Sequence, residues 1–219
     1  MPVELAPLIG SLLPQKVNGV DVFELPKAIV AVGGIGEKFA RRAAQVAIDY
    51  AQPKLLLSAG IVGAISPGLK VGDVGCIREV VDVATGARYP ASSGGEWVLA
   101  TSPDVSDATG KQELKAKYGA DVVDMEAAAV AQVAQERGVE FASLKAISDD
   151  AAFDLPPLNR FIDENGQFAT RKFLIYVALH PKWWATLGKI KANSELASRN
   201  LCTAIEHLLK DSSRLSVVS

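Results

Sequence analysis

The stretch ADVVDMEAAAVAQVAQERGVEFASLKAISDDA, residues 120–151, constrains the fold more than any other part of the chain. Two apolar segments, residues 122–123 and 141–147, flank an alanine-rich segment, and this order predicts a strand, a helix and a second strand. Each apolar segment ends in acids, at Asp124-Met125-Glu126 and at Ser148-Asp149-Asp150. Acids at strand ends of an α/β protein face the crevice in which ligands bind. The stretch therefore predicts both an α/β fold and a site.

Strand-like and helix-like segments alternate along most of the chain. Residues 27–32 are typical of a buried strand, and residues 37–50 after them are typical of a helix. Residues 54–57 predict another short strand, followed by a loop of small residues at 58–64. Alternation with short connections predicts one α/β domain over residues 1–219, with a sheet that is largely parallel at its centre. Residues 152–210 lack this alternation and predict a divergent, helical C-terminal part.

The composition excludes several classes of protein. Lys and Arg number 23 and Asp and Glu number 25, so the net charge of −2 leaves no basic footprint for nucleic acid. Two cysteines fit a reducing compartment and do not form a disulfide framework. The chain contains no apolar run of about 18 residues and no basic, apolar leader at its start, so we expect a cytoplasmic protein without a membrane span.

The acids at the strand ends suit two different chemical roles. Asp149 follows an apolar strand, and partial burial there would raise its proton affinity, so it could protonate a leaving group. Glu126 opens a helix, whose dipole would keep the carboxylate ionised and able to accept hydrogen bonds from a diol such as a ribose. Spacing alone leaves the alternative open that Glu126 is a helix-start acid and Asp149 a turn residue.

Two glycine-containing segments could approach a ligand. The first, Gly33-Gly34-Ile35-Gly36, lies between a strand and a helix, as phosphate loops do. It does not satisfy GxGxxG, because Phe39 occupies the last glycine position, and this mismatch favours a tight turn. The second, SAGIVGA at residues 58–64, could bring backbone amides close to a ligand or only turn the chain. His180 and His207 have no partner at ligand spacing, so we predict no metal site.

These motifs resemble the superfamily of purine nucleoside phosphorylases and methylthioadenosine–adenosylhomocysteine nucleosidases. VDMEAAAVAQVAQERGVEFASLKAISDDA is similar to the family's (E/D)MEA helix start, helix, strand and SD end. LLLSAGIVGAISPGLKVGDV at residues 55–74 is similar to its glycine-rich loop followed by LKVGD, and AVGGIG is similar to its SGIG turn. The resemblance covers residues 28–151 and implies a three-layer α/β/α fold with a central mixed sheet.

The resemblance also implies an activity, the cleavage of a purine N-glycosidic bond through an oxocarbenium-like transition state. It assigns ribose contacts to Met125 and Glu126, and protonation of the purine at N7 to Asp149 with Ser148 beside it. It assigns activation of the attacking water to Glu4, in a segment similar to the family's A-M-x-x-E. Further contacts implied by the matched loops are substrate binding at Ile61, Val62 and Gly63, and a phosphate or water loop at Gly34, Ile35 and Gly36.

Departures from the family pattern leave several functions open. The family's first strand precedes the catalytic glutamate, whereas no such strand precedes Glu4 in this sequence, so we expect either that the true start lies upstream of Met1 or that a central strand is missing. Leu57-Ser58 stand where many phosphorylases carry a phosphate-binding arginine, and this favours hydrolysis, unless Arg41 or Arg78 binds phosphate. Trp97 and Phe153 are candidates for stacking on the purine.

We therefore expect hydrolysis of 5′-substituted adenosines such as methylthioadenosine or adenosylhomocysteine. One alternative is a phosphorylase with phosphate as co-substrate, or an enzyme similar to the hopanoid-associated members, with an apolar channel near Trp183-Trp184. Another alternative is a nucleoside-binding module without catalysis. The resemblance implies no metal or organic cofactor, and a homodimer or a larger homo-oligomer.

Overall fold

The computed structural model describes residues 4–153, 158–161, 169, 172–173, 176, 180, 184–211 and 215–219. The helices are α1 (Ala6–Ile9), α2 (Glu37–Ala51), α3 (Ala108–Tyr118), α4 (Ala127–Arg137) and α5 (Trp184–Asp211), with a 3-10 turn at Leu158–Phe161. The strands are β1 (Gln15–Val17), β2 (Val20–Glu24), β3 (Ala28–Val32), β4 (Leu55–Ala64), β5 (Val74–Asp82), β6 (Arg88–Pro90), β7 (Trp97–Thr101), β8 (Val122–Asp124), β9 (Glu140–Asp149) and β10 (Leu215–Val218). None of the helices in these ranges is long and apolar enough to span a membrane.

All ten strands belong to one mixed sheet. Five of them close into a ring, because β4 pairs with β9, β9 with β5, β5 with β7, β7 with β8, and β8 with β4. The strands β10, β3, β2 and β1 extend the sheet outward from β4. The neighbours β3, β10, β4 and β9 run parallel to one another, which confirms the prediction of a parallel centre.

A helical layer covers each face of the sheet. On one face α2 and α4 pack against each other, and small residues of α2, such as Ala43 and Ala47, let the helix lie close to the strands. On the other face α5 lies over β4, β5 and β9, and α1 packs on α5. Leu201 and Ile205 of α5 are buried there with Leu5 and Val217. The three-layer α/β/α arrangement is therefore confirmed.

The small residues at 58–64 do not form the loop that the sequence predicted. They continue β4, which pairs with β9 from Leu55 to Gly63 and reaches β8 at Gly63 and Ala64. Hydrogen bonding along both edges outweighs the weak strand preference of glycine and alanine, because β4 lies at the centre of the sheet. A bulge between Val62 and Gly63 marks the end of the regular pairing with β9.

No strand precedes Glu4 among the described residues, but the sheet has no gap between β3 and β4. β10 comes from the other end of the sequence and lies between β3 and β4, parallel to both. Its last residue pairs with Ser58, and the Ser219 N–H then donates to the Ala31 carbonyl at 3.1 Å. Glu4 lies just beyond this end, where its carboxylate accepts from the Ile61 N–H at 3.2 Å. β10 therefore fills the space between β3 and β4, and neither strand has an open edge there.

Alternating side chains of β10 give a test of this placement. Val217 is fully buried, and we expect Val217→Ala to lower the free energy of unfolding by about 2 kcal/mol, through lost burial and a residual cavity. Ser216 is equally buried, but its hydroxyl has no hydrogen-bond partner among the described residues. Ser216→Ala should therefore change stability by no more than about 0.5 kcal/mol or raise it. Urea unfolding of both variants measures the difference, and equal effects would contradict a β10 inserted in the sheet.

Candidate active site

A cavity of about 240 Å³ opens where β4, β8 and β9 end, at the place that the acids of the sequence predicted. Aliphatic side chains, including Ile35, Val62 and Val105, form much of its wall. Five carboxylates also face it: Glu4, Asp104, Asp124, Glu126 and Asp149. Carboxylates this close together repel one another when ionised, unless some are protonated or paired with cations. The hydrogen-bond and ion-pair partners of each acid therefore determine its chemical role.

Lys145 is the cation that pairs with one of these acids, Asp124. It points from the middle of β9, is 3% exposed, and its ammonium lies 2.9 Å from Asp124 Oδ2 and 3.1 Å from Ser58 Oγ. Asp124 ends β8 and also accepts hydrogen bonds from Thr101 Oγ1 at 2.8 Å and from the Ala127 N–H at 3.2 Å. This buried pair therefore ties β4, β8, β9 and the start of α4 together, and removing either partner would leave an uncompensated charge.

Glu4 reaches the cavity from the segment that precedes α1. Its backbone carbonyl accepts hydrogen bonds from Ser198 and Cys202 of α5, and these bonds fix the main chain at Glu4. Burial raises the pKa of Glu4 above its usual value, although the Ile61 N–H and the Lys145 ammonium oppose this shift. A carboxylate with a raised pKa is a stronger proton acceptor than an ordinary glutamate.

Glu126 precedes α4 and is held by two backbone amides. Gly36 N–H donates to its Oε1 at 2.8 Å, and Met125 N–H donates to its Oε2 at 3.1 Å. Burial raises the pKa of Glu126 to about 7, and the neighbouring Asp124 and Glu4 carboxylates add to the rise. The sequence-based expectation that the helix end keeps Glu126 ionised is therefore wrong, because desolvation outweighs the dipole.

Asp149 ends β9 and forms a close pair with a lysine from α3. Lys111 Nζ lies 2.5 Å from Asp149 Oδ2 and also donates to the Asp150 carbonyl at 2.9 Å. The other carboxylate oxygen, Oδ1, accepts from Ser148 Oγ at 2.9 Å. Lys111 is only 2% exposed although it is a charged residue of a surface helix. The sequence did not reveal this pairing of Asp149 with a buried ammonium group.

Two glycines of β4 make room for the acids. A side chain at Gly60 would lie 3.0 Å from Glu4 Oε2, and one at Gly63 would lie 3.0 Å from Asp149 Oδ2 and 3.3 Å from Lys111 Nζ. All three distances are shorter than ordinary van der Waals contact. The small residues of this segment thus allow carboxylates to approach the strand, rather than turning the chain.

Most of the residues predicted for the site meet in the cavity. Those that line it are Glu4, Ile35, Ile61, Val62, Gly63, Met125, Glu126, Ser148 and Asp149. Gly34 is not among the lining residues that the structure describes, and the Gly36 N–H is already engaged by Glu126, so this amide is not available to a phosphate. Trp97 and Phe153 do not belong to the described lining either.

Sequence reasoning missed the two lysines and one acid, Asp104. Lys145 could have been noticed as the single charge inside the apolar run FASLKAIS, and Asp124 was recognised as an acid at a strand end but was given no role. Lys111 gave no signal, because it lies in a polar helix among other lysines. No group of three or more His, Cys, Asp or Glu side chains in the described ranges is arranged to hold a metal ion.

Comparisons with known proteins agree with this architecture. A family model of the Phosphorylase superfamily matches residues 22–117 and 101–178, which together exceed two thirds of the chain. The futalosine hydrolase of Helicobacter pylori superposes with a TM-score of 0.72 at 18% identity, over 97% of this chain and 95% of that one. The 5′-methylthioadenosine/S-adenosylhomocysteine nucleosidase of Neisseria meningitidis, in complex with methylthio-immucillin-A, gives 0.69 at 18% identity, over 97% and 96%. At these identities the two structures establish the fold alone.

The raised pKa of Glu126 predicts a pH dependence of stability. The folded value of about 7 lies above the reference value of 4.5, so the native state binds this proton more tightly than the unfolded chain. The contribution of Glu126 to the free energy of unfolding must then fall as pH rises from about 4.5 to about 7. Glu126→Gln removes this titration, and we expect the variant to gain up to about 3 kcal/mol relative to wild type across that range.

Urea unfolding at several pH values between about 4.5 and about 8 measures this difference. Glu136→Gln, near the exposed end of the same helix, is the matched control and should show no such trend, because Glu136 forms only a surface pair with Arg41. A constant offset between Glu126→Gln and wild type at all pH values would contradict the raised pKa.

Proposed function

The chain belongs to the Phosphorylase superfamily, and from this premise we propose that it cleaves the N-glycosidic bond of a purine nucleoside by hydrolysis. The proposal rests on one observation, the sign of the charge in the cavity. Five carboxylates line it, whereas its described lining contains a single cation, Lys111, which is bound to Asp149. Such a site suits a neutral water as the second substrate better than a phosphate dianion, because like charges at short range repel each other.

The arginines that could have bound phosphate support the same conclusion. Arg41 forms an ion pair with Glu136 at 2.6 Å and Arg78 is exposed on β5, and neither belongs to the described lining of the cavity. Ser58 occupies the position where many phosphorylases carry an arginine, and it accepts a hydrogen bond from Lys145. Phosphorolysis would therefore require a phosphate to enter beside Glu4 and Asp124 without a free cation among the described lining residues.

In the proposed reaction water adds to C1′ of the ribose while the bond from C1′ to N9 of the purine breaks. Glu4 accepts a proton from the water, and burial raises its pKa, so its ionised form has a higher proton affinity than an ordinary glutamate. The Lys145 ammonium lies near the same residue of β4, Gly60, and can stabilise the Glu4 carboxylate. Asp149, in its carboxylic acid form, gives a proton to the leaving purine at N7 and is left as a carboxylate beside the Lys111 ammonium.

Binding of the ribose is assigned to Met125 and Glu126, which lie side by side at the start of α4. Glu126 is fixed by the amides of Gly36 and Met125, so it is oriented before substrate arrives. A carboxylate that can accept two hydrogen bonds suits the 2′- and 3′-hydroxyls of a ribose. The sequence-based expectation of a 5′ substituent on the ribose remains a prediction, because the 5′ group would lie beyond these contacts.

The remaining expectations belong to the same proposal. Water is the only co-substrate required, so we propose catalysis without a metal or organic cofactor, in a cytoplasmic homo-oligomer. The alternative with a lipid-tailed substrate placed a channel near Trp183-Trp184. Trp183 and the side chain of Trp184 lie outside the described residues.

A panel of purine nucleosides, with and without inorganic phosphate, tests the reaction. We expect release of free base and free ribose at the same rate in both conditions, measured by chromatography and a reducing-sugar assay. Base release that requires phosphate, with ribose 1-phosphate as product, would show the alternative of phosphorolysis to be correct.

Substitution of the base tests the proposed role of Glu4. We expect Glu4→Gln to lower kcat by roughly 10²- to 10⁴-fold with little change in KM, because the proton acceptor is lost while the shape is kept. Glu113→Gln, an exposed neighbour of Lys111 on α3, is the control and should retain wild-type kcat. Asp149→Asn should abolish turnover, and nucleoside binding without any turnover in wild type would instead favour a binding module.

A further inference from the structure

Lys111 is a buried charged group of the cavity to which the proposed reaction assigns no proton transfer. Removing a lysine from water costs free energy, and a lysine on a surface helix could instead extend into solvent. The burial of Lys111 beside Asp149 therefore needs a reason. Its stem passes Gly63, where a side chain would lie 3.2 Å from Lys111 Cε. β4 therefore leaves space for this lysine as it does for the acids.

The ammonium has more donors than the protein uses. Lys111 carries three N–H donors, and the structure describes two acceptors for them, Asp149 Oδ2 and the Asp150 carbonyl. Lys111 is also one of the residues that face the cavity. Each oxygen of Asp149 has one donor within the protein, Lys111 for Oδ2 and Ser148 Oγ for Oδ1. The remaining N–H of Lys111 gives this corner a hydrogen-bond donor for a ligand.

The edge of the purine that meets Asp149 determines what Lys111 would contact. N7 and the substituent on C6 lie on the same edge of the base. If Asp149 serves N7, a group 2.5 Å from Asp149 is within reach of the C6 substituent. A 6-oxopurine presents an acceptor there, whereas adenine presents an amino donor. An ammonium group binds the first and opposes the second.

We propose that Lys111 is a specificity-determining residue that selects 6-oxopurine nucleosides, those of hypoxanthine or guanine, over adenine nucleosides. The proposal rests on the proposed function and replaces adenine, the base expected from the sequence. The carboxylate of Asp104 could accept from an adenine amino group, but Asp104 is exposed at the rim. A buried charged donor discriminates more strongly than an exposed acceptor, because water does not compensate for its mismatch.

The test compares bases with the rest of the nucleoside held constant. Inosine is compared with adenosine, and 5′-methylthioinosine with 5′-methylthioadenosine, so that the unknown 5′ preference cancels. We expect kcat/KM to favour the 6-oxo member of each pair by at least about 10-fold, and Lys111→Met to lower that ratio by roughly 10- to 100-fold. Lys115→Met, one turn along α3, is the matched control, because Lys115 bonds Ser66 and Asp121 outside the described lining. Its ratio should equal that of wild type.

A second variant and a binding measurement keep the test decisive if Lys111→Met does not fold. Lys111→Gln offers both a donor and an acceptor, and should bring the ratio close to one. Calorimetry with free hypoxanthine and free adenine measures the base preference without turnover. Cleavage that favours adenine, or a ratio unchanged in both variants, would overturn the role of Lys111 while leaving hydrolysis intact. A preference for hypoxanthine in binding that depends on Lys111, with none of the four nucleosides cleaved, would support Lys111 and refute the proposed function.

Discussion

The buried pair of Lys145 and Asp124 is the interaction on which the rest of the site depends. Acids from β8, from the start of α4 and from the N-terminal segment converge at the end of β4, and without a cation their charges would drive these elements apart. Lys145 supplies that charge from the centre of the sheet, with both members of the pair almost fully buried. Because the same ammonium also bonds Ser58, the pair fixes three strands relative to one another. This polar pair is therefore also part of the core.

A second constraint joins the two ends of the sequence. β10 lies between β3 and β4 and pairs with β4 up to Ser58, and Glu4 bonds the same strand just beyond, at Ile61, so the last and the first described residues meet along β4 next to the cavity. α5 completes this region, since Ser198 and Cys202 hold the Glu4 carbonyl. Whether the strand leading into this region precedes Glu4 in the chain or follows it by some two hundred residues does not alter the local packing. Hydrogen bonding in the sheet depends on neighbours in space and not on connectivity.

The sequence predicted those parts of the fold whose pattern is local. The strand, helix and strand around Asp124 to Asp149 could be recognised from apolar periodicity, and their acids meet in the cavity as expected. β10 could not be placed, because four residues carry little periodicity and its partners are distant in sequence. The glycines of β4 were interpreted as a loop, since their purpose, space for Glu4 and Asp149, exists only in three dimensions. Lys111 was missed for the same reason: burial of one lysine on a polar helix leaves no trace in the sequence.

The two lysines divide the carboxylates of the cavity into two classes. Asp124 and Asp149 each have an ammonium group within hydrogen-bonding distance. Glu4 and Glu126 are held mainly by backbone amides, which are weaker partners, and burial raises the pKa of both. One small space thus contains two acids paired with lysines and two acids whose pKa is raised by burial, and such different environments are typical of sites in which carboxylates have different roles. The placement of the lysines, rather than the number of acids, is what assigns a separate task to each carboxylate.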